Sequence, residues 1–421
     1  MDKLLIEGPT QLNGEVEVYG SKNATLPIMA ATLLARDRFI IKGVPVLADV
    51  LTMIKILCSL GVKVKFGNGV LDIDTRDYDG ETAPYEYVRT MRASICVLGS
   101  LLANKGCAKV SLPGGCVIGP RPIDLHIKGL EALGSEINVE HGYLIAKCDK
   151  LKGGYVYLGG PFGSSVLATC NVMTAATLAE GKTIIENAAS ESEVVDLAEF
   201  LIKMGARIKG YKTHTIEIDG VESLHGAEHT VISDRIEAGT YMLAAAATRG
   251  NVLVKGANIR HLGALVDKLR ESGVSLDCSQ EGCIRVKANS CVKAVDITTL
   301  PYPGFPTDLQ AQMMVFLANA QGTGVITEKI YPERFIHVGE LKRMGADIVL
   351  EGNNAIIKGV EFFSGAPVMA SDLRASAALV IGGLIARGKS EILRVYHLDR
   401  GYSDFEEKLT MLGAKIRRVK E

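Results

Sequence analysis

One cysteine set among three glycines and three prolines, with an arginine five residues on, is the stretch best equipped for chemistry. In Leu112-Pro113-Gly114-Gly115-Cys116-Val117-Ile118-Gly119-Pro120-Arg121-Pro122-Ile123-Asp124-Leu125-His126 neither helical nor strand periodicity can run through Pro-Gly-Gly or Gly-Pro-Arg-Pro, so a loop is expected. A thiol with an ordinary pKa of about 8.5 is mostly protonated at neutral pH and can act as an acid as well as a nucleophile. Flanking glycines let backbone close on a ligand. The plain alternative is a small buried hydrophobe, the commoner fate of a free cysteine, and local sequence leaves both readings open. His126 could serve the thiol as a base, as in a thiol hydrolase, but no residue resembling a third triad member fixes it.

Polar and charged residues also gather at six points where helices begin: Ser21-Lys22-Asn23-Ala24, Met91-Arg92-Ala93-Ser94, Gly163-Ser164-Ser165-Val166, Ser233-Asp234-Arg235-Ile236, Thr307-Asp308-Leu309-Gln310 and Ser371-Asp372-Leu373-Arg374. N-capping accounts for part of this, with Ser233, Ser371 and Thr307 or Asp308 as suitable caps. Capping does not account for Lys22, Arg92 or Arg374, because cations at a helix N-terminus oppose the dipole. If the helix starts of both domains face one cleft, their free N–H groups and these cations form an anion site, and the substrates are phosphorylated.

The elements that must hold these residues repeat. A helix ending in Gly, followed by a short β-branched or alternating run, recurs at Gly61, Gly134, Gly205, Gly273, Gly345 and Gly413, a period of about 70 residues of the kind that marks a repeat architecture. Before each lies an Ala- and Leu-rich helix such as Ala30 to Ala35 or Ala244 to Ala247, then a strand such as Lys182 to Glu186. Each repeat therefore reads helix, strand, helix, strand. The Ala-rich helices are expected to be buried and the second helices, such as Leu197 to Met204, amphipathic. The chain is thus α/β, with sheets outside a helical core and three repeats to a domain. The glycines are αL caps. Gly383-Leu384-Ile385-Ala386-Arg387-Gly388-Lys389-Ser390 matches the P-loop pattern, but it runs from the helix Ala377 to Ala386 into a strand at Glu391, the reverse of the order a P-loop needs.

Composition narrows the classes. The 421 residues, 47% hydrophobic, can bury a large core and suggest two or three domains. A formal charge of −1 argues against partners held by bulk electrostatics, so neither nucleic acid nor a membrane surface is expected. The N-terminus lacks a signal-like apolar run and no segment reaches the roughly 18 apolar residues of a span, which predicts a cytoplasmic protein. Nine cysteines, an odd number, fit a reducing compartment. Cys278, Cys283 and Cys291 lack both zinc-ligand spacing and nearby histidines, and no metal or other cofactor is expected.

Ser21 to Ala24, Met91 to Ser94, Leu112 to His126, Phe305 to Gln310, Arg334-Phe335-Ile336-His337 and His397-Leu398-Asp399-Arg400-Gly401-Tyr402 together resemble the UDP-N-acetylglucosamine 1-carboxyvinyltransferase family over essentially the full chain. The resemblance implies two inside-out α/β barrel domains of three helix-strand repeats each. One would span residues 22–229 with the cysteine loop at 111–121, the other residues 1–21 plus 230–421. The implied reaction moves the enolpyruvyl group of phosphoenolpyruvate to the 3'-hydroxyl of UDP-N-acetylglucosamine and releases phosphate, opening peptidoglycan precursor synthesis. By resemblance Cys116 is the acid that protonates C3, and it is alkylated by fosfomycin. Asp308 is the base, and Lys22, Arg121 and Arg400 hold phosphoenolpyruvate. Asn23 touches both substrates and Arg92 approaches the sugar. Arg121, Pro122, Ile123, Asp124 and Leu125 hold uridine, with Ser165 and Val166 near the diphosphate. Ile330, Arg334, Asp372 and Arg374 line the same cleft.

Two departures stand out: no lysine precedes Ser165-Val166, where many relatives carry one, and Pro120 replaces a smaller loop residue. The shikimate-3-phosphate enolpyruvyl transferase is the nearest rival, disfavoured by Cys116 and by Arg-Pro-Ile-Asp-Leu-His. A non-catalytic nucleotide-sugar-binding homologue is a second, opposed by the intact Lys22, Cys116, Asp308 and Arg400. Oligomeric state is not legible in the sequence.

Overall fold

A computed structural model describes residues 2–112, 123–289 and 291–420. Cys116, Arg121 and Pro122, with most of the 111–121 loop, lie outside the described residues. The chain forms two compact units, one within residues 20–232 and the other combining residues 2–19 with 233–420.

Six helices are almost wholly buried, three in each unit: α1 (Lys22–Ala31), α2 (Val97–Lys105), α3 (Val166–Ala176), α4 (Arg235–Ala247), α5 (Gln310–Ala318) and α6 (Leu373–Ile385). Small residues make this possible, since helices clad in Ala and Gly can approach closely on all sides. Gly99 in α2 lies so near Asn171 of α3 that a Cβ there would fall 2.4 Å from its Oδ1. The second helix of each repeat has one apolar face. In Ala48–Ser59 the buried set includes Val50, Met53, Ile56 and Leu57, and in Gly263–Glu271 it is Leu265, Val266 and Leu269. The expected division into buried and amphipathic helices therefore holds.

Five of the sheets among the described residues have four strands, in which an edge strand pairs parallel with a central one and a hairpin continues antiparallel, and the sheet of the sixth repeat has five. The order Thr82–Ala83, Cys107–Ser111, Tyr143–Lys147, Glu136–Glu140 is one instance. Helix, strand, helix, strand is thus one strand short, because the last strand of the repeat is a hairpin. The hairpin turns were hidden in short polar stretches such as Asn68-Gly69, where Asn68 and Gly69 both have positive φ. The sixth repeat lacks a returning strand of its own. Asp2–Gly8 fills that place, antiparallel to both Ala386–Leu393 and Lys415–Lys420. Asn13–Glu17 likewise pairs parallel with Asn251–Lys255.

The repeat glycines have φ from 86° to 105° at Gly61, Gly134, Gly205, Gly273, Gly345 and Gly413, as helix-ending turns require. The P-loop look-alike lies at a helix-to-strand junction: α6 ends at Ile385 and the strand starts at Ala386, with Gly388 at φ 98°. The capping assignments need correction. Asp234 and Asp372, not Ser233 and Ser371, accept from the first amides of α4 and α6. Neither Thr307 nor Asp308 makes a side-chain cap, because a 3-10 turn, Thr307–Leu309, precedes α5 and both side chains bond elsewhere.

Candidate functional site

In the unit formed by residues 2–19 and 233–420, three sequence-predicted residues converge. Asp308, at the 3-10 turn leading into α5, receives Arg334 Nη2 on Oδ1 at 2.9 Å and Arg374 Nη2 on Oδ2 at 2.9 Å. Both guanidiniums are buried, whereas the Asp308 side chain keeps 28% of its surface. A carboxylate held by two guanidiniums and still partly exposed can accept a proton from a bound hydroxyl. Burial works against the charge on each arginine, and the carboxylate more than offsets it, so both are held above the usual guanidinium range.

The clamp is built on a buried polar network. Glu328, fully buried, accepts from Thr299 Oγ1 at 2.6 Å and from the amides of Ile330 and Tyr331 at 2.8 and 3.0 Å. Its other oxygen accepts from Thr307 Oγ1 at 2.9 Å, and Thr307 in turn accepts from Arg334 Nη1 at 2.9 Å. Asp372 caps α6 by accepting from the Arg374 and Ala375 amides. Burial raises the Asp372 pKa, but Arg334 and the cap bonds outweigh it and leave the carboxyl below its usual range. His337 is buried, and desolvation pulls it down to about 4, so it is neutral at pH 7. Ile330 is half-buried beside Glu328, and Arg400 is half-buried at the end of the 3-10 segment Val395–Arg400.

In the other unit, Ser21 caps α1 and the Lys22 ammonium stands 3.3 Å from Asp49 Oδ2, both side chains largely buried. Pro27 inside α1 has no amide hydrogen to give the Asn23 carbonyl, so that oxygen is free of the helix ladder. Ser165 caps α3 through the Ala168 amide, with Val166 as the first helical residue. Ile123 precedes the helix Asp124–Glu131, on which Asp124 is exposed and Leu125 half-buried. Arg92 opens the 3-10 turn Arg92–Cys96 before α2.

His126 is not an available base. It is 3% exposed, its Nδ1 lies 3.0 Å from Asn171 Nδ2, and burial, with help from the Arg92 charge, lowers it to about 3. Asn171 also bonds the Ile95 carbonyl and the Gly99 amide. This is a structural tie between helices and removes the support for a thiol hydrolase.

Sequence patterns in the EPSP synthase (3-phosphoshikimate 1-carboxyvinyltransferase) family run through residues 6–409. The chain belongs to this family of enolpyruvyl transferases. Among curated members it is 53% identical to UDP-N-acetylglucosamine 1-carboxyvinyltransferase 2 of Carboxydothermus hydrogenoformans over 100% of both chains. It is 54% identical to UDP-N-acetylglucosamine 1-carboxyvinyltransferase 1 of Caldanaerobacter subterraneus over 99% of both. It is 52% identical to UDP-N-acetylglucosamine 1-carboxyvinyltransferase of Methylacidiphilum infernorum over 100% of this chain and 99% of that one. Among solved structures, the enolpyruvyl transferase NikO from Streptomyces tendae superposes with a TM-score of 0.90 at 23% identity, covering 100% of this chain and 99% of NikO. EPSP synthase from Acinetobacter baumannii does so at 0.77 and 19% identity, covering 100% of both. These structures bear out the fold class.

Sequence reasoning on this enolpyruvyl transferase missed Asp49, Glu328 and Gln312 as partners of the predicted residues. A signal existed for Gln312: it is one of two glutamines in the otherwise apolar Gln310-Ala311-Gln312-Met313-Met314-Val315-Phe316, and a polar group inside a buried helix needs a partner.

Proposed function

We propose that this protein transfers the enolpyruvyl group of phosphoenolpyruvate to the 3'-hydroxyl of UDP-N-acetylglucosamine and releases phosphate, as the first committed step of peptidoglycan precursor synthesis in the cytoplasm. The observation that carries the reading is end-to-end identity of 51–54% to relatives named for that reaction. Shikimate 3-phosphate as acceptor has the support of the family's name and of fold likeness at 19% identity, which is weaker than end-to-end identity above one half. No helix among the described residues is long and apolar enough to cross a membrane.

In this reading the Cys116 thiol gives its proton to C3 of phosphoenolpyruvate, which makes C2 electrophilic. The acceptor oxygen bonds to C2 as its proton passes to Asp308. Return of a proton from C3 to the Cys116 thiolate and cleavage of the bond between C2 and the phosphate oxygen then form the enol ether and release phosphate. Lys22, Arg121 and Arg400 hold the donor's phosphate and carboxylate, Asn23 touches both substrates and Arg92 approaches the sugar; Arg121, Pro122, Ile123, Asp124 and Leu125 hold uridine, with Ser165 and Val166 near the diphosphate, and Ile330, Arg334, Asp372 and Arg374 line the substrate site. Residues 22–229 form the domain bearing Cys116, and residues 1–21 with 230–421 form the second. What favours Asp308 as base is a carboxylate held by two buried guanidiniums that still keeps 28% of its side-chain surface.

Phosphate release from phosphoenolpyruvate, with UDP-N-acetylglucosamine or shikimate 3-phosphate offered as acceptor and with or without fosfomycin pretreatment, tests the reading. Release with the nucleotide sugar alone, abolished by pretreatment, is expected. Release with shikimate 3-phosphate, or none with either acceptor from folded protein that binds the nucleotide sugar, overturns it.

A further inference from the structure

Behind the Asp308 clamp lies a set of hydroxyls and amides whose protons can be placed by counting. Thr240 Oγ1 donates to the Ile236 carbonyl at 2.8 Å, the usual bond of a helical threonine. Its hydrogen is thereby used, so in its 2.8 Å contact with the Tyr402 hydroxyl it is the acceptor and Tyr402 the donor. The Tyr402 oxygen then has two lone pairs. Arg374 Nη1 donates to it at 3.2 Å and Gln312 Nε2 at 3.2 Å, which fills them. Gln312 Nε2 also reaches Thr240 Oγ1 at 3.1 Å and the Asp308 carbonyl at 3.2 Å. The amide cannot be turned round, because its oxygen would then face the Asp308 carbonyl, another acceptor. The two hydroxyl protons each have one place, whereas the two hydrogens of Gln312 Nε2 are shared among three acceptors, and the hydroxyl of Tyr402 presents a lone pair, not a hydrogen, to Arg374.

We infer that Tyr402 is a positioning residue for this reaction: its hydroxyl fixes the Arg374 guanidinium so that the other nitrogen meets Asp308, the carboxylate on which the proposed function places the acceptor's proton. Tyr402 is 3% exposed, and it is placed to act through Arg374. The charged and titratable groups that act on the two clamp arginines include Asp372, Glu328, Asp234 and Tyr402, with His337 beside Arg334. Among the described residues the Arg374 guanidinium bonds Asp308 and this hydroxyl; with phenylalanine in place of Tyr402 one guanidinium N–H loses its buried acceptor and the fork is released from its plane. A less well-held cation stabilises the carboxylate less, so the Asp308 pKa rises.

Tyr241 supplies a matched control. Its ring lies 5.5 Å from that of Phe405, as the Tyr402 ring lies 4.8 Å from it, and it is fully buried, but among the described residues its hydroxyl has no hydrogen-bond partner. The titration of the Asp308 carboxyl carbon by 13C NMR, assigned with Asp308→Asn, reads the effect without turnover. Tyr402→Phe is expected to raise the midpoint by about one pH unit, and Tyr241→Phe to leave it in place. The acid limb of kcat/KM for the nucleotide sugar should move up by the same amount in Tyr402→Phe. An unmoved carboxyl midpoint in Tyr402→Phe, whatever the melting temperature does, overturns the inference. Should that variant not fold, Thr240→Val removes the acceptor that directs the tyrosine proton, and an unmoved midpoint there overturns it equally. The inference rests on the proposed function for its catalytic meaning. Absence of phosphate release from the wild type would defeat that function, while the NMR midpoint still decides the positioning.

Discussion

Asp308 carries two burdens that a single substitution separates. Its charge compensates Arg334 and Arg374, both 4% exposed, and its partly exposed carboxylate is the proposed proton acceptor. Asp308→Asn keeps the shape and removes both the charge and the basicity. Loss of a general base lowers kcat by about 10²–10⁴-fold. Two buried guanidiniums left facing a neutral amide cost on the order of 2 kcal/mol, below the range for a fully buried pair because Asp308 is 28% exposed. Phosphate release and urea unfolding on one preparation measure both, and a variant of wild-type stability would show that the clamp is not held by charge. His126 makes a second residue-scale case. Its folded pKa of about 3 lies below the usual 6.5, so the unfolded chain binds the extra proton first. Stability from this residue is intact above pH 6.5 and is lost as pH falls from there towards 3. At pH 5 the loss is on the order of 2 kcal/mol. The stability gap between wild type and His126→Gln, largest at pH 7, should therefore narrow by that amount at pH 5, and a gap that does not change with pH would sink the argument. At this scale the sequence displayed the reactive types, Asp308, Arg334 and Arg374 among them. It could not display Glu328 or Tyr402 as their supports, because the bonds that tie them to Thr307 and Arg374 join residues 21 and 28 positions apart and leave no local pattern.

Helix termini do different work at the two ends of each repeat. At the C-terminal end the recurring glycines meet a conformational demand, and at several of them nothing else. A Cβ on Gly413, at φ 98°, would meet no atom within 4 Å, so Gly413→Ala isolates backbone strain and should cost about 1–2 kcal/mol. A second glycine recurs for a different reason. Gly220 and Gly359 end equivalent strands, donate to the carbonyls of Gly181 and Gly322, and are followed by valines whose amides bond back to helix ends at Thr177 and Ala318. A Cβ on Gly359 would stand 1.6 Å from the Ala320 carbonyl oxygen, and on Gly220 1.7 Å from that of Ala179. The chain has to move apart there, so Gly359→Ala should cost about 3 kcal/mol, more than Gly413→Ala. Thermal unfolding of the two variants settles the order, and equal losses would mean that contact adds nothing to strain. The first kind of glycine was legible because its position after Leu, Met or Ser is local. The second was not, because the close approach joins a strand end to a helix end about 40 residues earlier.

Over the whole chain, a sixfold recurrence made the architecture readable where a single helix or strand would not have been. Ala-rich stretches could be assigned to the interior since five other copies agreed. What recurrence could not reveal was closure. The sixth repeat is completed by Asp2–Gly8, which pairs with strands about 380 and 410 residues later, and no periodicity signals so distant a partner. The buried apolar side chains fall into two clusters, one drawn from residues 4–18 and 236–416 and the other from residues 24–231. Each cluster is centred on three helices. A core truncation should therefore be felt by the helices that share its cluster. Leu379→Ala in α6 removes a fully buried side chain and should cost about 2–5 kcal/mol. Under native conditions its amide exchange should rise throughout α4, α5 and α6, with the amides of α1, α2 and α3 keeping wild-type protection. Leu101→Ala in α2, also fully buried, should give the reverse pattern. Loss of protection in all six helices from either substitution would mean that the two clusters unfold as one cooperative body, and that chain closure at Asp2–Gly8 does not confine damage to the unit it completes.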